Sequence, residues 1–168
     1  MILDSAVFAS ESYLTKEKYR VYESHLGRET DFDSHLYYMD TISNMIITIK
    51  NGAAVKKAVV TIPYSKFKVA IAKSLLDAGY ISGYEKKDRK KGGSLLDITL
   101  AYKDSGKSAV TDVERLSKLS RRLYVGVKEI PTVRQGYGHV FISTPKGVLT
   151  GSKAKEEMVG GELLFKIW

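Results

Sequence analysis

The sequence after residue 39 predicts a protein of the α+β class. Apolar residues recur at helical spacing in two segments, one after Asp40 and one after Ser65. Short strand-like runs separated by glycines fill the stretch from Val110 to Trp168. A chain of 168 residues suits one domain or two small ones. Helices therefore belong mainly to the first half, and strands mainly to the second.

Residues 40–104 predict the order α-β-α-β-β, and these elements suffice for a small layered domain. Asp40 and Ser65 suit the N-cap position of a helix because their side-chain oxygens accept amide protons. The first helix is expected to stop at Asn51-Gly52, and the second to bury a face that begins at Phe67. The predicted strands are Ala58–Ile62, Ile81–Glu85 and Leu95–Tyr102, the last two forming a pair around a basic turn at 86–93.

Residues 105–168 predict a mainly antiparallel β domain with one short helix. The loop Lys103–Ser108 is the natural boundary between the two halves. The predicted strands are Val110–Leu116, Leu123–Val127, His139–Ser143 and Glu162–Trp168, and the predicted helix is near Ser152–Met158.

The net positive charge of the chain comes from the part after Met39. The net charge is +8, but residues 1–39 hold four basic and seven acidic groups, a balance of −3. The other 23 basic and 12 acidic groups give +11 to residues 40–168. An excess of lysine and arginine attracts polyanions, so we expect nucleic acid to bind this part.

Residues 1–39 are interpreted as an extension with no part in the fold that follows. They lack the basic start and long apolar stretch of a secretory signal, and they are too acidic for an organelle transit peptide. Their tyrosines either pack on a surface or result from an upstream start codon. The whole chain has no run of about 18 apolar residues, so no membrane partner is expected.

Catalytic and metal chemistry is poorly supported by the sequence. Cysteine is absent, and the three histidines lack the spacing of a metal site. Ser105-Gly106-Lys107-Ser108 contains the end of a phosphate-binding loop, but Ala101 stands where that loop needs its other glycine. An exposed turn is the better interpretation. We therefore expect no cofactor and no enzymatic activity.

Three segments are candidates for contact with RNA. Arg121 and Arg122 can grip phosphates, and Tyr124 offers a ring for stacking. Ser143 to Gly147 places small hydroxyls beside a glycine, where the backbone can approach a groove closely. Gly160-Gly161-Glu162 offers a second close approach with a carboxylate acceptor. By chemistry alone, each segment is equally compatible with a turn or a strand edge.

The same motifs, taken together and in order, resemble the bacterial-type small-subunit ribosomal protein eight family. The segments that carry the resemblance are Asp40–Met45 with Ile49–Asn51, Ile62–Lys66, Ser117–Val125 with Glu129–Pro131, Gly138–Lys155, and Gly160–Glu162 with the closing strand. The resemblance covers residues 40–168 and leaves out the extension. Pro145 departs from the family pattern, which has a hydroxyl residue at this position.

The resemblance implies a two-domain α+β protein of the small ribosomal subunit, with residues 105–168 as the main RNA-binding domain. It implies binding to the central domain of small-subunit ribosomal RNA, contact with neighbouring ribosomal proteins, support of platform assembly, and repression of its own operon mRNA. The expected location is the cytoplasm rather than an organelle. The RNA-binding residues that the resemblance implies are Ser143, Thr144, Lys146, Gly147, Tyr124, Gly161, Glu162, Lys50, Asn51, Ser65 and Lys66. Arg121 and Arg122 are added to them because their guanidinium groups can bind phosphates.

Two alternatives remain at this point. A free-standing mRNA regulator would bind similar RNA without entering the ribosome. An enzyme on the same scaffold would use the Gly106-Lys107 turn for a nucleotide.

Overall fold

The fold begins with two helices that flank a short strand. The computed structural model describes residues 40–89, 93–103 and 105–168. Residues 1–39, which the sequence predicts to be an extension, lie outside the described residues. The tip of the basic turn predicted at 86–93 lies outside them as well. Helix α1 spans Thr41–Ala54, strand β1 Val59–Pro63, and helix α2 Lys66–Asp77.

Both helices start where their caps predict. The Asp40 carboxylate accepts the Ile42 amide at 3.0 Å, and the Ser65 hydroxyl accepts the Lys68 amide at 3.1 Å. The stop predicted at Asn51-Gly52 is wrong, because α1 continues to Ala54. Gly52 is buried there, and a side chain at its position would overlap Val60.

The buried face of α2 differs from the predicted one at its first turn. Phe67 is 40% exposed, whereas Lys68 is 6% exposed. The Lys68 ammonium donates to the Pro63 carbonyl at 2.9 Å, and burial lowers the pKa of Lys68. A lysine stem can line an apolar surface when its charged end finds an acceptor.

The first sheet contains β1, β2 (Ile81–Lys87) and β3 (Leu95–Leu100), with β3 in the middle and all pairs antiparallel. The predicted pairing of the second and third strands is confirmed. One face of the sheet packs against the two helices, since alternate residues Val60 and Ile62 are buried while their neighbours are exposed.

The second sheet forms around the last strand of the chain. Strand β8 pairs with three other strands, and β7 lies at the far side of β6. The elements of this half are β4 (Val113–Arg115), β5 (Tyr124–Val125), β6 (His139–Thr144), β7 (Gly147–Thr150), α3 (Gly151–Glu156) and β8 (Gly161–Ile167). The strands predicted at Val110–Leu116 and Leu123–Val127 are shorter than expected, and β7 is not predicted at all.

Residues 40–168 form one compact unit. Its larger core joins side chains from both halves, including Ile49, Ile71 and Leu96 with Phe141 and Phe165, all fully buried. The rings of Phe141 and Phe165 stack with centroids 4.9 Å apart. A smaller core beneath α3 contains Val140, Ile142, Ala154 and Leu163 among its members. The α+β class predicted from the sequence is confirmed, and the division at 104/105 stays a prediction.

Candidate nucleic-acid interface

The turn between β6 and β7 is shaped by its own threonine. Thr144 and Gly147 lie opposite each other, with Pro145 and Lys146 at the corner. The Thr144 hydroxyl donates to the Gly147 carbonyl at 2.8 Å and accepts the Lys146 amide at 3.2 Å. Gly147 has φ +116, a conformation that favours glycine. The Thr144 hydroxyl is therefore already used inside the turn, and Thr144 is only 9% exposed.

Ser143 is the hydroxyl residue of this turn that remains in position to meet a ligand. It is half-buried, and among the residues that the structure describes no hydrogen bond engages its side chain. The sequence alone predicts the same role for Ser143 and Thr144, namely contact with RNA through a hydroxyl group. The structure separates them, because one residue fixes the turn and the other faces outward beside it.

Ser143 belongs to a row of three side chains across the second sheet. It is the strand partner of Glu162, and Glu162 is the strand partner of Tyr124. Partners in antiparallel strands place their side chains on the same face, about 4.5–5.5 Å apart. Tyr124 ends the row with a ring that is 70% exposed. The structure thus brings together three of the predicted site residues that are far apart in sequence.

Glu162 holds an arginine beside this row. Its carboxylate lies 2.8 Å from the Arg122 guanidinium, and its side chain is 16% exposed. This hydrogen bond and the negative charge of Glu162 raise the pKa of Arg122, which stays positively charged. Glu162 is therefore placed to orient a cation toward a phosphate as well as to accept a hydrogen bond itself.

A tight turn supplies further positive charge next to Arg122. Lys118 and Arg121 exchange two backbone hydrogen bonds, of 2.9 Å and 3.1 Å, so both side chains leave the same narrow turn. The fully buried Ser117 closes its base by accepting the Leu123 amide at 2.9 Å. Lys118 was not among the predicted site residues, although its spacing of three from Arg121 is the signal for such a turn.

The two glycines before Glu162 have a structural role that the sequence does not reveal. A side chain at Gly161 would overlap the Ser143 carbonyl, and one at Gly160 would overlap the Val125 carbonyl. The close approach that these glycines permit is therefore that of β8 to β5 and β6. The predicted contribution of Gly161 to RNA binding is indirect in this geometry, since it sets the position of Ser143.

The remaining predicted residues lie outside the row. Lys146 is exposed and forms an ion pair of 3.1 Å with Glu157. Lys50 pairs with Asp112 at 2.6 Å, next to the exposed Asn51. Exposed ion pairs contribute little stability, so both lysines can exchange their carboxylates for phosphates.

Ser65 and Lys66 lie at the start of α2 and are not members of the row in the second sheet. The Ser65 hydroxyl is used as the cap of α2, and Lys66 is exposed on its first turn.

The geometry of the described residues gives little support to the nucleotide-enzyme alternative. Gly106 has φ +70 in a turn closed by a hydrogen bond from Lys103 to Lys107, and the next regular element is the strand β4. A phosphate-binding loop needs a helix at that point. Within the described ranges there is no cluster of three potential metal ligands. Within the same ranges, every helix is too short or too polar to cross a bilayer.

An α+β scaffold that presents arginines, lysines, a tyrosine ring and a serine around one sheet edge is typical of the class of RNA-binding proteins. The family model described as Ribosomal protein S8 matches residues 40–168. The chain belongs to this ribosomal protein family, which consists of structural proteins and not of enzymes.

Curated relatives agree with this assignment. The small ribosomal subunit protein uS8 of Syntrophus aciditrophicus is 45% identical over 129 residues, which is 77% of this chain and 97% of the relative. The protein of the same name from Caldicellulosiruptor bescii is 42% identical over 133 residues, 79% of this chain and the whole of the relative. That of Bdellovibrio bacteriovorus is 40% identical over 131 residues, with coverage of 77% and 100%.

Proposed function

We propose that this protein is a structural component of the small ribosomal subunit in the cytoplasm, where it binds the central domain of the ribosomal RNA and supports assembly of the platform. The observation that carries the proposal is the row of Tyr124, Glu162 and Ser143 beside the cations of the 118–122 turn. Family membership and the printed names of the relatives support the ribosomal setting. Residues 105–168 are the main RNA-binding part in this proposal, and residues 40–104 add contacts through Lys50, Asn51 and Lys66.

Binding proceeds in this proposal without chemical change in the RNA. Arg121, Arg122 and Lys146 contact phosphates and fix the register, while the phosphates themselves carry no sequence information. Ser143 then meets a base edge or a ribose hydroxyl, and Tyr124 stacks on a base that is not paired within the helix. The target is therefore an irregular stem rather than a regular duplex.

The experiment compares binding of two RNAs by the full chain. One is a transcript of the irregular central-domain helix, and the other is a regular duplex of the same length and composition. Tyr124→Ala is expected to weaken binding to the irregular helix by about 1–3 kcal/mol, because a base loses its stacking partner. Binding to the regular duplex should hardly change. Equal losses on both RNAs would contradict a recognition role for Tyr124.

Ser143→Ala tests the second member of the row. We expect a loss of about 0.5–1.5 kcal/mol on the irregular helix, the usual net contribution of one hydrogen bond. Ser152→Ala is the matched control, since Ser152 is an exposed serine on the first turn of α3.

The proposal extends to repression of the protein's own operon mRNA through the same surface. An mRNA that imitates the irregular helix should compete with it for one site, and Tyr124→Ala should weaken both complexes by the same factor. Co-sedimentation of the protein with small subunits from a lysate separates this dual role from that of a free-standing regulator, which would stay in the supernatant.

A further inference from the structure

A cleft of about 590 Å³ lies at the end of the second sheet that is opposite to the 143–147 turn. Its lining includes Lys103, Ser108, Thr111, Arg134, Tyr137 and Trp168. Strand β6 begins at His139 beside the cleft and ends at Thr144. Its five residue steps of about 3.4 Å place the cleft roughly 17 Å from the turn. The cleft is thus a separate feature from the interface described above.

The cleft combines cations with planar side chains. The Arg134 guanidinium carbon lies 4.8 Å from the centre of the Trp168 ring, and Arg134 is itself exposed. Tyr137 is 88% exposed, which is unusual for so large an apolar ring. Lys103 is exposed at the same cleft. A planar ligand with a negative charge would find both stacking surfaces and counter-charges here.

The loop that carries Arg134 is held in an uncommon conformation. Arg134, Gln135 and Gly136 have φ values of +46, +54 and +99, and side chains rarely adopt such values. Backbone hydrogen bonds to the carbonyl of Val133 from Gly136 and Gly138 keep the loop closed. Residues held in this region are concentrated at binding sites, where surrounding contacts maintain them.

Gly138 anchors this loop against the tryptophan. A side chain at Gly138 would lie 2.6 Å from Val133, 2.8 Å from the Ile167 carbonyl and 2.9 Å from the Trp168 side chain. Only glycine therefore allows the loop to approach the end of β8 so closely. This close approach brings the loop that carries Arg134 next to Trp168, where the guanidinium lies over the ring.

Asp112, which follows the cleft residue Thr111, forms an ion pair within the protein. Asp112 pairs with Lys50 at 2.6 Å and accepts the Val113 amide at 2.7 Å. The hydrogen bonds from Lys50 and from the Val113 amide, together with the positive charges of Lys50 and Arg134, lower the pKa of Asp112. Because the ion-pair partner of Asp112 is Lys50, the exposed side chains of Lys103 and Arg134 still present positive charge at the cleft.

We propose that this cleft binds one unpaired nucleotide of single-stranded RNA, with the base stacked on the Arg134 guanidinium and its phosphate on Lys103. The inference goes beyond the proposed function, since it adds a second RNA site at the other end of the sheet. The planar Arg134 guanidinium over the Trp168 ring favours a nucleobase over an acidic peptide. A nucleobase can stack on this plane, whereas a carboxylate needs only the positive charges. Ser108 and Thr111 supply hydroxyls for the ribose.

The test uses the fluorescence of Trp168, the single tryptophan of the chain. A short oligouridylate added to the full chain is expected to quench this fluorescence in a saturable manner. Arg134→Ala and Lys103→Ala should weaken binding about five- to a hundredfold, measured in parallel by the anisotropy of the labelled oligouridylate. Arg134→Lys keeps the charge but lacks the plane, and it too should bind more weakly than the unmodified chain. Thermal unfolding followed by circular dichroism verifies that each variant is folded.

Two results would overturn the inference. One is an oligouridylate affinity that Arg134→Ala and Lys103→Ala leave unchanged. The other is an oligoglutamate peptide that binds as tightly and displaces the RNA, which would define a site for acidic protein segments.

Binding of the irregular central-domain helix distinguishes the interface around Tyr124 from the cleft. Arg134→Ala should leave binding of that helix unchanged, whereas Tyr124→Ala should leave the quenching of Trp168 fluorescence by oligouridylate unchanged. Failure of the helix to bind would therefore remove the proposed function while the cleft is still judged by the oligouridylate.

Discussion

The carboxylate of Asp40 lies 2.6 Å from the guanidinium of Arg115, with only 18% and 9% of the two side chains exposed. Asp40 caps α1, and Arg115 ends β4, where it also donates to the Leu164 carbonyl. The pair therefore fastens the first helix of one half to the second sheet of the other. It connects residues that are 75 positions apart in the chain.

Asp40→Ala should lower the free energy of unfolding by about 2–4 kcal/mol, because it removes a helix cap and leaves a buried guanidinium without its counter-charge. Urea unfolding followed by circular dichroism measures the change. Asp88→Ala is the control, since Asp88 forms an exposed pair with Lys86 and its loss should hardly alter the midpoint. A similar loss in both variants would contradict a special role for the Asp40 pair.

The same carboxylate should make stability depend on pH. Burial alone would raise the pKa of Asp40, but hydrogen bonds from Arg115 and Ser43, the Arg115 charge and the Ile42 amide outweigh it, so the pKa falls below 3.8. The folded state then holds the proton less tightly than the unfolded state. The free energy of unfolding therefore increases as the pH rises from the lowered folded pKa to the ordinary value of 3.8.

Asp40→Asn isolates that contribution. The difference in unfolding free energy between the unmodified chain and this variant should be constant above the ordinary carboxyl pKa of 3.8 and shrink as the pH falls toward the lower folded pKa. Urea titrations at several acidic pH values measure it. A difference that grows on acidification would show the opposite sign of pKa shift.

Gly161→Ala should destabilise the protein by about 1–3 kcal/mol and also weaken binding to the irregular helix. The added methyl group overlaps the Ser143 carbonyl, so β6 and β8 must separate at the position of Ser143. Gly83→Ala provides the comparison, because a methyl group there meets no atom within 4 Å. If Gly161→Ala proved as harmless as Gly83→Ala, the close pairing of β8 with β6 would be contradicted.

Ser74→Ala should cost about 1–3 kcal/mol of unfolding free energy, since a buried carbonyl loses its donor. The Ser74 hydroxyl of α2 donates to the Val148 carbonyl of β7 at 2.5 Å. Thermal or urea unfolding measures the loss, with Ser152→Ala as an exposed serine control. The transition should remain a single one, because α2 and β7 share one core.

The sequence predicts the elements with strong local signals and misses those set by packing. Asp40 and Ser65 mark the helix starts because capping is local. Gly52 gives a false stop signal, because its small size serves contact with Val60 rather than termination. Strand β7 is four residues long and has no pattern of its own, since β6 imposes its pairing.

In the candidate site, too, the features with local signals could be predicted and those set by packing could not. Residue types near the glycine turns could be predicted, but not the row that joins Tyr124, Glu162 and Ser143. That row depends on a register shift between β6 and β8 after Phe141, which decides that Ser143 lies opposite Glu162. A one-residue slip would turn these side chains to the other face of the sheet. Register of this kind is a property of tertiary packing and leaves no local signal.

The central place of β8 also constrains how the molecule is made. Three strands synthesised earlier, β4, β5 and β6, have no partner for one edge until Gly161–Ile167 arrives. During translation, the second sheet therefore stays incomplete until β8 has left the ribosome. The affinity of the surface around Tyr124 and Ser143 should therefore develop only after Gly161–Ile167 has been synthesised and has paired within the second sheet.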